Sequence, residues 1–144
     1  MSKVIIQISV VIENTPGTLS TLSDVLGKEG INVNAITLVE STESSTVRLI
    51  SDNPDKTEQV LSSRGYQVHK SEVLAIETPD HPGGLNAVLK PLAIAGVNVF
   101  YLYPYLRRTS GNAIVIFRVS DIEKAIQVLK DNYISILDES IYSI

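Results

Sequence analysis

Asn14-Thr15-Pro16-Gly17-Thr18-Leu19 returns 66 positions further along the chain as Asp80-His81-Pro82-Gly83-Gly84-Leu85. Further pairs match at the same offset: Leu26 and Leu92, Gly30 and Gly96, and Asn32-Val33 and Asn98-Val99. Several matches at one offset are typical of an internal repeat. The chain therefore contains two copies of one unit, and we expect the domains to span residues 1–70 and 71–144.

Both copies show the same order of predicted elements. An apolar run rich in β-branched residues, at 3–12 in the first copy and 72–78 in the second, predicts a strand. Pro16 and Pro82 suit the first position of the helix that follows, and Gly30 and Gly96 suit its end. Two further strands come next, at about 31–41 and 45–51 in the first copy and at about 97–106 and 113–119 in the second.

A second helix and a last strand complete each copy. The helix of the first copy is expected to begin at Pro54, and that of the second copy to follow Ser120, where Ser120 and Glu123 would form a capping box. The last strands are expected near 66–70 and 134–142. Each copy is thus βαββαβ, which predicts an α+β fold of two ferredoxin-like units, each an antiparallel sheet with its helices on one face.

The repeated motif, from the loop through the helix to the Gly-x-Asn-Val that follows it, resembles that of the ACT domain, and the resemblance covers essentially the whole chain. It implies a tandem pair, similar to the stand-alone tandem ACT proteins of bacteria. ACT domains are small regulatory modules that bind amino acids or similar metabolites, usually at interfaces between paired modules. The resemblance therefore implies an amino-acid sensor and a regulated protein that the sequence does not identify.

A helix start can bind a carboxylate, because its N–H groups are unpaired and it carries a partial positive charge. Glycine beside it leaves room for a ligand to approach the backbone. Asn14 and Asp80 could contact an ammonium group, and Asn32 and Asn98 could add an amide. The residues predicted to bind the ligand are Asn14, Thr15, Pro16, Gly17, Thr18, Leu19, Asn32, Asp80, His81, Pro82, Gly83, Gly84, Leu85 and Asn98.

A purely structural interpretation of the same residues stays open. Asx-x-Pro-Gly is an ordinary turn and helix-start sequence, so Gly17 and Gly83 could serve only the turn. Asn32 and Asn98 could cap or bond across strands instead of contacting a ligand. Asp80 and His81 replace neutral residues of the first copy, so we expect the two units to bind ligand unequally.

Composition excludes several other classes of function. The net charge of −4 and the pI of about 5.1 disfavour nucleic acid or an anionic membrane as partner. The absence of Cys removes thiolate nucleophiles and cysteine-based metal sites, and a chain with only two His has little for a metal cluster. Because nucleophile-elbow and nucleotide-loop motifs are also absent, no catalytic residue, metal or cofactor is expected. An enzyme is kept only as a remote alternative, since the fold does not exclude activity.

The remaining expectations concern location and assembly. No targeting or membrane-spanning segment is visible, so a cytoplasmic protein is expected. Residues 100–105 hold four aromatic side chains, and Tyr101, Tyr103 and Tyr105 alternate, which predicts a tyrosine patch on one sheet face. Exposed strand edges and apolar content predict a homodimer. The alternative function is a structural interaction module that assembles through sheet edges and binds no metabolite.

Overall fold

The computed structural model describes residues 2–109 and 111–143, so Met1, Ser110 and Ile144 lie outside the described residues. The described chain divides into two compact units. The first unit comprises Ile6–Ser71, and the second comprises Glu72–Tyr142 together with residues 2–5. The N-terminal residues belong to the second unit because the Ser2 carbonyl accepts from the Glu139 amide at 3.2 Å and the Lys3 ammonium donates to the Ile136 carbonyl at 3.0 Å.

The first unit is built from strands and helices in the expected order. Its elements are β1 (Ile5–Glu13), α1 (Thr18–Lys28), β2 (Val33–Glu40), β3 (Ser44–Ser51), α2 (Pro54–Ser63) and the first residues of β4 (Gln67–Pro79). Strand β3 lies between β1 and β2 and is antiparallel to both. Glu13 lies opposite Ser44 in this register, so β1 ends beside the β2–β3 hairpin.

Alternate residues of the strands face the two helices and form the core of the first unit. Leu22, Val25 and Leu26 of α1 pack on them at helical spacing. The strand and α2 residues of this core are Ile8, Val10, Ile12, Val47, Leu49 and Leu61. Because the β1 members are two residues apart, they share one face, and both helices cover that face.

The second unit repeats the arrangement. The rest of β4 is followed by α3 (Gly84–Ile94), β5 (Val99–Thr109), β6 (Asn112–Val119), α4 (Ile122–Asp131), β7 (Ile136–Leu137) and a 3₁₀ helix (Glu139–Ser143). Strand β6 lies between β4 and β5, β7 pairs with β4, and all three pairings are antiparallel. The core again joins one sheet face to two helices, with Leu74, Ile76, Val88, Leu92, Phe117, Ala125 and Leu129 among its buried members.

The predicted fold class is confirmed: the chain is α+β, with two ferredoxin-like units whose helices cover one face of an antiparallel sheet. Three details of the predicted elements are wrong. The strand expected at 134–142 is only Ile136–Leu137, followed by the 3₁₀ helix. Pro16 and Pro82 precede the helices, which begin after Gly17 and Gly83. Asp121, and not Ser120, caps α4 by accepting from the Lys124 amide at 3.1 Å.

Candidate functional site

The loop between β1 and α1 is a tight turn closed by its own side chains. Gly17 occupies the cap position of α1 with φ 89°, a left-handed conformation that favours glycine. The Thr18 hydroxyl donates to the Glu13 carbonyl at 2.7 Å and also lies 3.0 Å from the Thr15 carbonyl. The Thr21 hydroxyl donates to the Gly17 carbonyl at 3.0 Å. These bonds fix the start of the helix against the end of β1.

The helices that follow these loops start differently from the other two helices. Asn53 and Asp121 cap α2 and α4 by accepting from the backbone amide three residues later, at 3.1 Å in both cases. Helices α1 and α3 start after Gly17 and Gly83, and no side-chain cap is present at either start among the described residues. Since the first amides of a helix have no partner within it, both starts present N–H groups to an external acceptor.

Each loop is tied to the neighbouring hairpin by its first residue. In the first unit the Asn14 side-chain amide donates to the Ser41 carbonyl at 3.3 Å, and the Asn14 backbone amide donates to the Glu43 carbonyl at 3.3 Å. In the second unit the equivalent residue, Asp80, forms an ion pair with Arg108 of β5. The contact between loop and hairpin is therefore a pair of neutral hydrogen bonds in the first unit and an ion pair in the second. The Asp80 carboxylate already has a cation beside it.

The second loop brings its helix closer to the strand than the first loop does. Gly84 is buried, and a Cβ at this position would overlap the carbonyl oxygen of Pro79. In the first unit, Thr18 corresponds to Gly84 and Glu13 corresponds to Pro79. There is room for the Thr18 side chain, and its hydroxyl donates to the Glu13 carbonyl. A cavity lies beside each loop, with a volume of about 370 Å³ in the first unit, where Gly65 lines it, and about 170 Å³ in the second unit, where Tyr133 lines it.

Asn32 and Asn98 lie at the far end of the sheet from the loop of their own unit. The Asn32 amide donates to the Asp52 carboxylate at 3.1 Å, and the Asn98 amide donates to the Ser120 hydroxyl at 2.9 Å. The loop follows Glu13, which lies opposite Ser44, whereas Asn32 contacts Asp52. Ser44 and Asp52 are eight residues apart along β3 and its C-terminal end, which corresponds to about 26 Å at about 3.3 Å per residue. One small ligand cannot contact both Asn32 and the loop of the same unit.

The other predicted residues lie at or near the surface of the two loops. Thr15, Pro16, His81 and Pro82 are exposed, and the His81 Nδ1 donates to the Pro82 carbonyl at 2.9 Å. Leu19 and Leu85 are exposed on the first turn of their helices. The structure therefore places Asn14 through Leu19 at the loop of one unit and Asp80 through Leu85 at the loop of the other.

The sequence of residues 3–143 matches the family model described as an ACT domain pair. The chain belongs to the ACT domain pair family. ACT domains are regulatory domains, so this ACT domain pair belongs to a regulatory class of proteins. No curated protein sequence matches the chain.

Solved structures agree with this assignment. A protein from Bacteroides thetaiotaomicron is 33% identical, with a TM-score of 0.92 over 99% of this chain and 98% of that one. The regulatory subunit of aspartate kinase from Thermus thermophilus is 17% identical, with a TM-score of 0.63 over 92% of this chain and 98% of that one. The corresponding subunit from Thermus flavus is 15% identical, with a TM-score of 0.59 over 92% and 97%. The two Thermus structures share the fold.

Two features of this ACT domain pair were not anticipated from its sequence. Arg108 of β5 forms an ion pair with Asp80 of the loop. Tyr133 was not singled out, although it has φ 58°, a left-handed conformation that is rare for a bulky residue.

The tyrosines of β5 form a packed patch: the Tyr101 and Tyr103 rings stack at 6.4 Å, and the Tyr105 hydroxyl donates to the Ile141 carbonyl at 2.8 Å.

Within the described residues, no helix is long and apolar enough to cross a membrane. The same part of the chain contains no group of three or more His, Asp or Glu arranged to hold a metal ion.

Proposed function

We propose that this ACT domain pair is a non-catalytic regulatory protein that binds an amino acid or a related small carboxylate at the starts of α1 and α3. The observation that supports it is the contrast in capping. The protein caps α2 and α4 with its own Asn53 and Asp121, and leaves α1 and α3 with glycine. An external carboxylate at α1 or α3 would take the place of the missing cap.

The loop residue that precedes each turn could hold the other end of an amino acid. The Asn14 side-chain amide nitrogen already donates to Ser41, which leaves its side-chain oxygen as an acceptor for an ammonium group. Asp80 offers a full negative charge, in competition with Arg108. The two loops thus differ in charge, and we propose that they bind ligand with unequal affinity.

Binding would regulate by linkage. A ligand shifts an equilibrium between arrangements only by the difference in its affinity for them, so its effect must be transmitted to a partner protein or to assembly. We propose a cytoplasmic homodimer that acts on a separate protein.

A second candidate is a structural interaction module without a metabolite, and the exposed apolar side chains of β5 favour it. Phe100 is 55% exposed and Leu106 is 64% exposed, and Leu102 lies between them on the same strand.

Light scattering at high micromolar concentration tests assembly: about twice 15.7 kDa supports the dimer, and 15.7 kDa contradicts it.

A thermal-shift screen against the twenty amino acids and related carboxylates tests the proposed function. A specific ligand at about one hundred times its dissociation constant adds about 2.7 kcal/mol of stability. For a chain of this size the melting temperature should rise by about 5–10 °C. The protein is first unfolded, dialysed and refolded, so that bound ligand cannot hide the shift. If no compound raises the melting temperature, the interaction module becomes the better account.

A further inference from the structure

All four helices end in the same way, but one of them uses a tyrosine where the others use glycine. After each helix the chain passes through a left-handed residue, and the next amide donates to a carbonyl five residues earlier at 2.9–3.1 Å. The left-handed residues are Gly30 (φ 71°), Gly65 (φ 85°), Gly96 (φ 77°) and Tyr133 (φ 58°). This helix ending normally takes glycine, because a Cβ is disfavoured in that conformation.

The packing of the described residues of the second unit does not account for the tyrosine at this position. Its side chain is 96% exposed, so burial does not offset the unfavourable backbone conformation. Gly65, at the equivalent position of the first unit, shows that the fold itself requires no side chain there. A strained residue with an exposed aromatic ring suggests a role in recognition.

Tyr133 stands at the edge of a cavity of about 590 Å³ in the second unit, which we call the Tyr133 cavity. Its apolar walls come from Ile126 of α4, from Ile134 and from Ile136 of β7. Lys3 and Lys130 also line it, and none of its described lining residues is acidic. The cavity therefore combines an apolar surface with two positive charges.

The two lysines differ in how they are held. The Lys3 ammonium is fixed at 3.0 Å from the Ile136 carbonyl, which keeps its charge beside β7. The hydrogen bonds from Ser140 are the main cause of the lowered pKa of Asp138, and the Lys3 ammonium adds to it, so the Asp138 carboxylate offsets part of the Lys3 charge. Lys130, on the last turn of α4, is exposed and has rotational freedom to reach a ligand.

The first unit does not reproduce this chemistry. A shift of 68 positions, which aligns Gln127-Val128-Leu129 with Gln59-Val60-Leu61, places Glu58 at Ile126, Ser62 at Lys130 and Gly65 at Tyr133. Glu58 is occupied by an ion pair with Lys70 at 3.4 Å. Ile134 and Ile136 have apolar counterparts in Tyr66 and Val68. Ile126, Lys130 and Tyr133 are therefore the lining residues specific to the second unit, which argues against their being required by the fold.

We propose that the Tyr133 cavity binds a small organic monoanion with a flat apolar body, such as an aromatic carboxylate. The carboxylate lies between the ammonium groups of Lys3 and Lys130, and the apolar body contacts the isoleucine wall and the ring of Tyr133. This cavity does not include the starts of α1 and α3, although Tyr133, Ile134 and Ser135 also line the smaller cavity beside the β4–α3 loop, so it would give the protein a second ligand class.

The test compares phenylacetate with its neutral analogue phenylacetamide, by titration of the ¹⁵N-labelled full chain at millimolar concentrations. We expect phenylacetate to shift the backbone amides of residues 126–137, and phenylacetamide to bind about fivefold more weakly because it lacks the charge. Shifts confined to the starts of α1 and α3, equal binding of the two compounds, or no shift at all would overturn the proposal.

Two variants locate the interaction on side chains. Lys130→Gln should weaken phenylacetate binding about two- to fivefold, whereas Lys124→Gln, a matched change on the same helix outside the cavity, should not. Tyr133→Gly should also weaken binding while preserving the fold, since glycine suits the left-handed conformation. Unchanged affinity in both Lys130→Gln and Tyr133→Gly would overturn the assignment.

Discussion

Gly84 lies so close to the carbonyl oxygen of Pro79 that a Cβ on Gly84 would overlap it. The equivalent pair of the first unit, Thr18 and Glu13, is joined by a side-chain hydrogen bond of 2.7 Å. The same fold thus places the start of its first helix in two ways, through a threonine hydroxyl in one unit and through direct backbone approach in the other. This difference explains why the two copies of the repeat carry different residues, threonine and glycine, at this position.

Gly84→Ala should therefore be strongly destabilising. The extra methyl group meets rigid backbone, so we expect a loss of about 2–3 kcal/mol in the free energy of unfolding. Gly27→Ala is the matched control: Gly27 lies within α1, with nothing within 4 Å of its would-be Cβ, and should gain about 0.5–1 kcal/mol. Urea unfolding of both variants measures this, and a small loss for Gly84→Ala would contradict the close approach.

Tyr133→Gly should stabilise the protein. Removing a side chain from a left-handed position relieves about 1 kcal/mol, and the ring of Tyr133 contributes little burial. The mirror change Gly65→Ala should cost about 1 kcal/mol for the same reason, although a Cβ there meets nothing within 4 Å. Melting temperatures that move in the same direction for both variants would show that the left-handed conformation is not the cause.

Arg108→Gln should affect ligand binding more than stability. Asp80 and Arg108 are both largely exposed, so their ion pair contributes at most about 1 kcal/mol to folding. Without Arg108 the Asp80 carboxylate is available to an ammonium group, and we expect an amino acid found in the screen to bind the second loop more tightly. Arg107→Gln, at the neighbouring exposed position, is the control. If calorimetry finds the same affinity for the amino acid in the two variants, Asp80 does not contact the ligand.

Asp138 should make a small contribution to stability that depends on pH. Bonds from Ser140, aided by Lys3, hold the pKa of this carboxyl below its usual 3.8 in the folded protein. A depressed folded pKa stabilises the protein above 3.8, and this stabilisation is lost as the pH falls through the lower folded value. Asp138→Asn should therefore be less stable than the wild type at pH 6, and the difference should shrink below pH 3.8. A difference that persists at low pH would contradict this origin.

Most of the fold could be predicted from the repeat. The matched Pro-Gly turns and the glycines after the first helices place the elements of both units, and Asn53 before Pro54 predicts the start of α2. The last strand could not be predicted, because residues 134–142 are apolar enough for a strand but form the 3₁₀ helix after Leu137. The cap of α4 was misplaced because Ser120 and Asp121 are both good caps, and the Ser120 hydroxyl is used by the Asn98 amide.

The candidate site could be predicted only in part. Both loops follow from the motif, and the left-handed φ of Gly17 and Gly83 follows from their residue type. The separation of Asn32 from its own loop depends on strand length and register, which bring Glu13 and Asp52 to opposite ends of β3. The ion pair of Asp80 could not be read from the sequence, because it joins the β4–α3 loop to a residue of β5 that is 28 positions further along the chain.

We propose that α1 and α3 start with glycine because an external carboxylate completes their caps. The most direct measurement is a ¹⁵N titration of the refolded, ligand-free chain with the amino acid or carboxylate that gives the largest thermal shift. We expect the amides of residues 19–20, 85–86 or both to shift most, since these are the unpaired amides at the two starts. Saturable binding that leaves all four amides unmoved would contradict it.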